Sequence, residues 1–102
     1  MNIQDFQKLI KSYPVQNEFS HFNQPVKPPF IVWTNNNETF KADDIIYHSH
    51  DTYTIELYSR IDAIKEEKRL EEFFNENNLI WEKTNQIWID EDKVMMSVYE
   101  IG

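Results

Sequence analysis

The sequence predicts an α+β domain: a mainly antiparallel sheet of about five strands with two helices packed on one side, in the order α-β-β-β-α-β-β. Three observations carry this. Apolar residues recur at helical spacing in two separate stretches, residues 3–13 and 62–77. Runs rich in β-branched and aromatic residues fall between and after those stretches. The strand-like runs come in groups instead of alternating with helices, and a length of 102 residues fits a single domain, residues 1–102, with one modest core.

The first helix is expected over residues 3–13, where Phe6, Leu9, Ile10 and Tyr13 stand at i, i+3, i+4 and i+7 and Pro14 ends the pattern. Residues 14–29 hold all four prolines with polar residues and three apolar anchors, Val15, Phe19 and Phe22, and read as an irregular loop. So aromatic a loop either folds back onto the domain or meets another chain. Residues 30–34, FIVWT, are an unbroken apolar run, expected to be a central strand buried on both faces, with Asn35, Asn36 and Asn37 as the turn that ends it.

Two further strands are expected at 45–49 and 52–59, with His50-Asp51 at the tip of a reversal between them. In the second, Tyr53, Ile55 and Leu57 alternate with Thr54, Glu56 and Tyr58, so one face should be buried and one wet. The second helix, 62–77, carries Ala63, Leu70, Phe73 and Phe74 on one arc; Ser59 or Asp62 caps its start and Asn77-Asn78 supplies a left-handed stop. Residues 79–84, 87–90 and 93–101 read as strands, with breaks at Asn85-Gln86 and a hairpin turn at Glu91-Asp92.

Composition excludes several chemistries. The only glycine is Gly102, so neither a dinucleotide fingerprint nor a P-loop is available, and positive-φ positions are expected to fall to Asn or Asp. With no cysteine there is no disulfide, thiolate ligand or cysteine nucleophile, and none of the five serines sits in a G-x-S-x-G context. No apolar run reaches the roughly 18 residues of a membrane span and the N-terminus lacks a secretory pattern, so a soluble protein made in the cytosol is expected.

Eighteen acids against ten bases give a net charge of −8, which opposes tight binding to nucleic acid. The excess concentrates late: residues 71–102 hold eight acids and two bases, a net of −6. Glu66, Glu67, Glu71 and Glu72 lie among Lys65, Lys68 and Arg69 and read as a solvated helix face, which removes them as acid–base candidates. His48, His50 and Asp51, with His21 and Asp43, could supply metal ligands, but H-x-H offers two where zinc needs three or four, and the turn reading is preferred. Trp33, Trp81 and Trp88 suit core packing or a protein interface better than base stacking, because the chain is acidic. No catalytic residue, cofactor or metal site is expected, and the protein is not expected to be an enzyme.

Several stretches then point one way: Pro28-Pro29-Phe30, Ala42-Asp43, Tyr47, the Tyr53-to-Tyr58 strand, the charged helix 62–77, Trp81-Glu82-Lys83 and Tyr99-Glu100-Ile101. In this order, over about three quarters of the chain, the sequence resembles a family of small phage tail proteins of Gram-positive hosts. It departs from the family at Asn35-Asn36-Asn37, where the loop is longer, and at Thr52, where an asparagine is usual. The resemblance implies a tail terminator, also called a tail completion or head-to-tail joining protein. Such a protein is a small α/β subunit that forms a hexameric ring on the end of the tail tube, stops its growth and meets the head connector. Its partners would be itself, in solution as a ring or a weakly associating monomer, the tail tube protein and the head connector protein, with no membrane, cofactor or catalysis. Its place would be the tail–head junction of the virion, of a phage or prophage, and the host cytoplasm during assembly.

Contact residues expected for that role are Phe19, Phe22 and Phe30, in and beside the loop, with Glu56 and Tyr58 on the wet strand face. Two other readings stay open: a small acidic inhibitor that mimics DNA toward a host enzyme, and another neck or head-completion subunit.

Overall fold

The structure is a computed structural model that describes residues 1–42 and 45–102, with side chains described for 1–37 and 51–102. Two helices, α1 (Ile3–Lys11) and α2 (Ala63–Glu76), cover one face of a five-stranded sheet made of β1 (Asn17–Phe19), β2 (Phe30–Ala42), β3 (Ile45–Ser59), β4 (Trp81–Ile89) and β5 (Val94–Ile101). Spatial order is β1-β2-β3-β5-β4, and every pairing is antiparallel except the short parallel one between β1 and β2. The element order and the one-sided helical layer are those the sequence predicts.

Both helices are bounded by asparagines. The Asn2 side chain accepts a hydrogen bond from the Asp5 amide at 2.8 Å and so caps α1. At the end of α2, Asn78 takes φ 56° and the Leu79 amide donates back to the Phe74 carbonyl at 3.0 Å, closing a Schellman turn with asparagine where glycine is usual. Asp62 precedes α2 without a side-chain cap bond, and Ser59 is fully buried with an unpartnered hydroxyl, so neither caps as expected. Positive φ also occurs at Ser20 and Lys93, so asparagine and aspartate do not hold all such positions.

The core lies between helices and sheet. Phe6 stacks on Tyr53 with ring centroids 3.9 Å apart and meets Trp33 edge-on at 5.2 Å; Phe74 meets Tyr99 edge-on at 5.4 Å. Such ring pairs add about 0.5–1.5 kcal/mol each beyond the area they bury. Ile31 and Trp33 of β2, Ile55 and Leu57 of β3, and Tyr99 and Ile101 of β5 supply the sheet side of this core.

Three strand expectations need correction. Residues 45–49 and 52–59 are one strand, because β3 pairs with β2 without interruption from Phe40↔His48 to Phe30↔Tyr58; His50 lies opposite Glu38, so His50-Asp51 is not a hairpin tip. The pairing continues to Ala42↔Ile45, and residues 43–44 lie outside the described residues. Nor do Asn35, Asn36 and Asn37 form a turn: they continue β2, and their amides donate across to Asp51, Thr52 and Thr54 at 2.7–3.3 Å. Those cross-strand bonds offset the poor strand propensity of asparagine. Likewise Asn85-Gln86 does not break β4; the irregularity there is a register shift between Lys83 and Asn85.

The prolyl loop is also more ordered than its composition suggests. Asn17–Phe19 forms β1 beside Ile31–Trp33, so β2 is one strand in from the sheet edge, and Val32 is half-buried instead of fully enclosed. Farther along β2, no strand among the described residues flanks the pair: β3 meets β5 from Tyr53 to Ser59, and β1 ends at Phe19. Residues 36–42 and 45–52 therefore form a two-stranded ribbon extending roughly 23 Å at about 3.3 Å per residue, and the molecule measures 51 × 29 × 23 Å.

Candidate protein interface

Opposite the helices the sheet has an open face, whose residues follow from register. Phe30, Tyr58, Met96 and Ile87 form one row across β2-β3-β5-β4; Val32, Glu56, Val98 and Asn85 form the next; Thr34, Thr54, Glu100 and Glu82 form the third. Leu57 and Ile55 are fully buried on the helical face, which fixes Glu56 and Tyr58 on the open one.

Over the first two rows lies the 20–29 loop, and between them runs a groove of about 560 Å³ lined by Phe22, Phe30, Val32, Glu56 and Tyr58 together with loop residues from Ser20 to Val26. Phe30 stacks on Tyr58 at 4.7 Å with ring planes 16° apart, and Phe22 meets Phe30 edge-on at 5.5 Å. The Tyr58 hydroxyl donates to Glu56 Oε1 at 2.8 Å. Burial first, then that bond and the carboxylate's charge, push the Tyr58 hydroxyl well above its ordinary value of 10.0, so it stays a donor throughout the neutral range. The arrangement is an aromatic floor with a held carboxylate beside it, a surface suited to recognition.

Four of the five expected contact residues, Phe22, Phe30, Glu56 and Tyr58, thus meet in one groove. Phe19 does not join them. It sits on the other side of the sheet edge, packs edge-on against Trp33 at 4.9 Å and remains 47% exposed. The loop residues Pro25 and Val26 also line the groove, and only its apolar interruptions hinted at that.

On the helical face, α2 departs from the expected solvated arc. Glu66 and Glu67 are buried, at 5% and 3% exposure. Glu67 accepts hydrogen bonds from Gln86 Nε2 at 2.7 Å, Lys83 Nζ at 3.2 Å and the Ser97 hydroxyl, while Glu71 accepts from Tyr99 at 2.6 Å and pairs with Lys83 at 3.2 Å. Burial alone would push the Glu67 carboxyl up, but its bonds to Ser97, Gln86 and Lys83 and the Lys83 charge together outweigh it and hold the group below its ordinary value. The spacing Ala63, Glu67, Leu70, Phe74 is a helical stripe with one acid in it, and that was the signal in the sequence. This network ties α2 to β4 and β5 with its acceptors already occupied, so it is structural.

Among the described residues no three His, Asp or Glu side chains converge as a metal site would need; His48, His50 and Asp43 lie outside the described side chains. Trp33 and Trp81 pack in or against the core, whereas Trp88 is 47% exposed near the β4-β5 turn. No helix among the described residues is long and apolar enough to cross a membrane. No protein-family model and no curated protein matches the chain.

Proposed function

We propose that the protein is a ring-forming structural subunit of a phage or prophage tail, the terminator that caps the tail tube and joins it to the head connector. The observation that carries the reading is the ordered set of resembling segments, from Pro28-Pro29-Phe30 through the Tyr53-to-Tyr58 strand to Tyr99-Glu100-Ile101. Two of those segments supply Phe30, Glu56 and Tyr58 to the groove, and an aromatic surface with a polar rim is what a stable protein contact uses. The role is mechanical: one surface complements the tube end and the opposite one fails to template another tube ring, so growth stops. It needs no cofactor and no reaction.

Mimicry of DNA is the weaker alternative, because Glu67 and Glu71 are engaged internally and the other acids are spread over α1, β1, β3, the open face, α2 and the β4-β5 turn. Deleting the gene from its phage or prophage tests the proposal. Tails of uncontrolled length are expected; tails of normal length would refute it. A virion lacking heads but with correctly terminated tails would assign the chain to another neck position instead.

A further inference from the structure

The open face has a charge composition that narrows its partner. Its three rows carry Glu56, Glu100 and Glu82, while no lysine or arginine stands in any of the twelve row positions. Glu100 takes both of its hydrogen bonds from the Thr54 hydroxyl, at 2.9 and 3.1 Å, and Glu56 takes one from Tyr58; neither has a cationic partner among the described residues. Glu56 Oε2 has no hydrogen-bond partner among the described residues, beside a groove floored by aromatic rings. Two cations of the helical side are used elsewhere: Lys83 by Glu67 and Glu71, and Arg69 by Glu66.

We infer that this face binds a positively charged, partly apolar segment of a partner protein, whose arginine or lysine side chains lay their stems on Phe22, Phe30 and Tyr58 and bring their charge to Glu56. Long cationic side chains suit such a surface because the stem is apolar and the head ionic, and a cation is drawn both to ring faces and to the carboxylate. An arginine fork can donate to Glu56 Oε2 while the Tyr58 hydroxyl keeps donating to Oε1. Nucleic acid is the wrong occupant, since phosphate and these carboxylates repel. The inference deepens the assembly reading and rests on it only in taking the occupant to be another protein of the tail; the chemistry of the groove stands apart from tail length.

The test uses the full chain, ¹⁵N-labelled, titrated with a capped hexapeptide of alternating arginine and leucine and with its citrulline counterpart. The expected result is saturable movement of the amides of Phe22, Val32, Glu56, Tyr58 and Val98, weakened about tenfold by citrulline or by Glu56→Gln, and weakened further by salt. Glu56→Gln retains an acceptor for the Tyr58 hydroxyl, so the variant folds and the comparison is clean. Unmoved amides, or equal affinity for the citrulline peptide, would overturn the inference. So would a self-associated protein that Glu56→Gln dissociates without any peptide binding, because the occupant would then be a second copy. Normal tails in a deletion strain would refute the assembly role and leave the peptide result untouched, so the two can fail separately.

Discussion

Lys83 of β4 places its ammonium 3.2 Å from a carboxylate oxygen of Glu67 on α2, a side chain only 4% exposed, and so joins the edge of the sheet to the helix above it. Lys83 itself is about one-third exposed and also reaches Glu71 at 3.2 Å. The strength of the arrangement comes from satisfaction: Glu67 also receives Gln86 and Ser97. Removing the acceptor strands the donors. Glu67→Ala should therefore cost about 2–4 kcal/mol of stability, and Glu67→Gln, which keeps an acceptor oxygen but loses the charge, should cost less. Urea denaturation of both variants checks the order; equal losses would mean that the carboxylate charge, not the acceptor oxygens, carries the effect.

Stability should fall at both ends of the pH range, for different groups. Glu67's folded carboxyl titrates below its ordinary 4.5, so its contribution is complete above about pH 5 and is lost as the pH drops through the depressed folded value. At the alkaline end Tyr99 and Tyr13 titrate above their ordinary 10.0, Tyr13 at about 12. Burial is the leading cause in both, and for Tyr99 the Glu71 bond adds to it. The unfolded chain then loses these protons first, so stability is full below pH 10 and declines above it. Tyr99→Phe should flatten the alkaline limb and Glu67→Gln the acid limb; thermal melts across pH read both.

The parts of the fold that sequence pattern reached are those in which one period dominates. Phe6, Ile10 and Tyr13 at helical spacing, and Tyr53, Ile55 and Leu57 in alternation, are buried as their periods require. The parts it missed depend on partners far along the chain. Three consecutive asparagines look like a turn until Asp51, Thr52 and Thr54 are opposite them. Glu67 looks solvated until Lys83, Gln86 and Ser97 arrive from strands 16 to 30 residues later. The groove was legible in its members, Phe22, Phe30, Glu56 and Tyr58, but not in the side of the sheet to which Phe19 goes. Facing of β1 depends on its parallel pairing with β2, which three residues cannot announce.

Asn17 is the joint between α1 and the sheet. It is 6% exposed, and its side-chain amide donates to the Ile10 carbonyl at 3.0 Å and to the Val15 carbonyl at 2.8 Å. Asn17→Ala should cost about 1–2 kcal/mol, by removing a buried donor from the Ile10 and Val15 carbonyls. Asn17→Asp should cost more at neutral pH, because a carboxylate faces those carbonyls as a second acceptor. The aspartate variant should recover part of its loss on acidification, opposite in sign to the parent's acid limb. Parallel chemical melts at neutral and mildly acid pH would reveal it, and an aspartate variant as stable as the parent would contradict the donor role.

Under the tail-terminator proposal, the β2-β3 ribbon separates folding from assembly. Among the described residues, the buried ones of these strands are Ile31 and Trp33 on one and Tyr53, Ile55, Leu57 and Ser59 on the other, all of them within the part flanked by β1 or β5. Beyond Asn36↔Thr52 the two strands pair only with each other, and an isolated two-stranded ribbon is marginal in water. Replacing residues 37–51 by Asn-Gly would close the hairpin directly with a turn suited to its twist. Among the described residues the shortened chain loses the amide bonds of Asn35 and Asn37 to Asp51 and no core side chain, so its stability should stay within about 1 kcal/mol of the parent's. Under the tail-terminator proposal, a ribbon of this length on a subunit meant to sit in a ring is a contact arm. The shortened protein should therefore fold normally yet fail to rescue tail length in a deletion strain. Full rescue would assign the ring contacts to the sheet body and the groove alone.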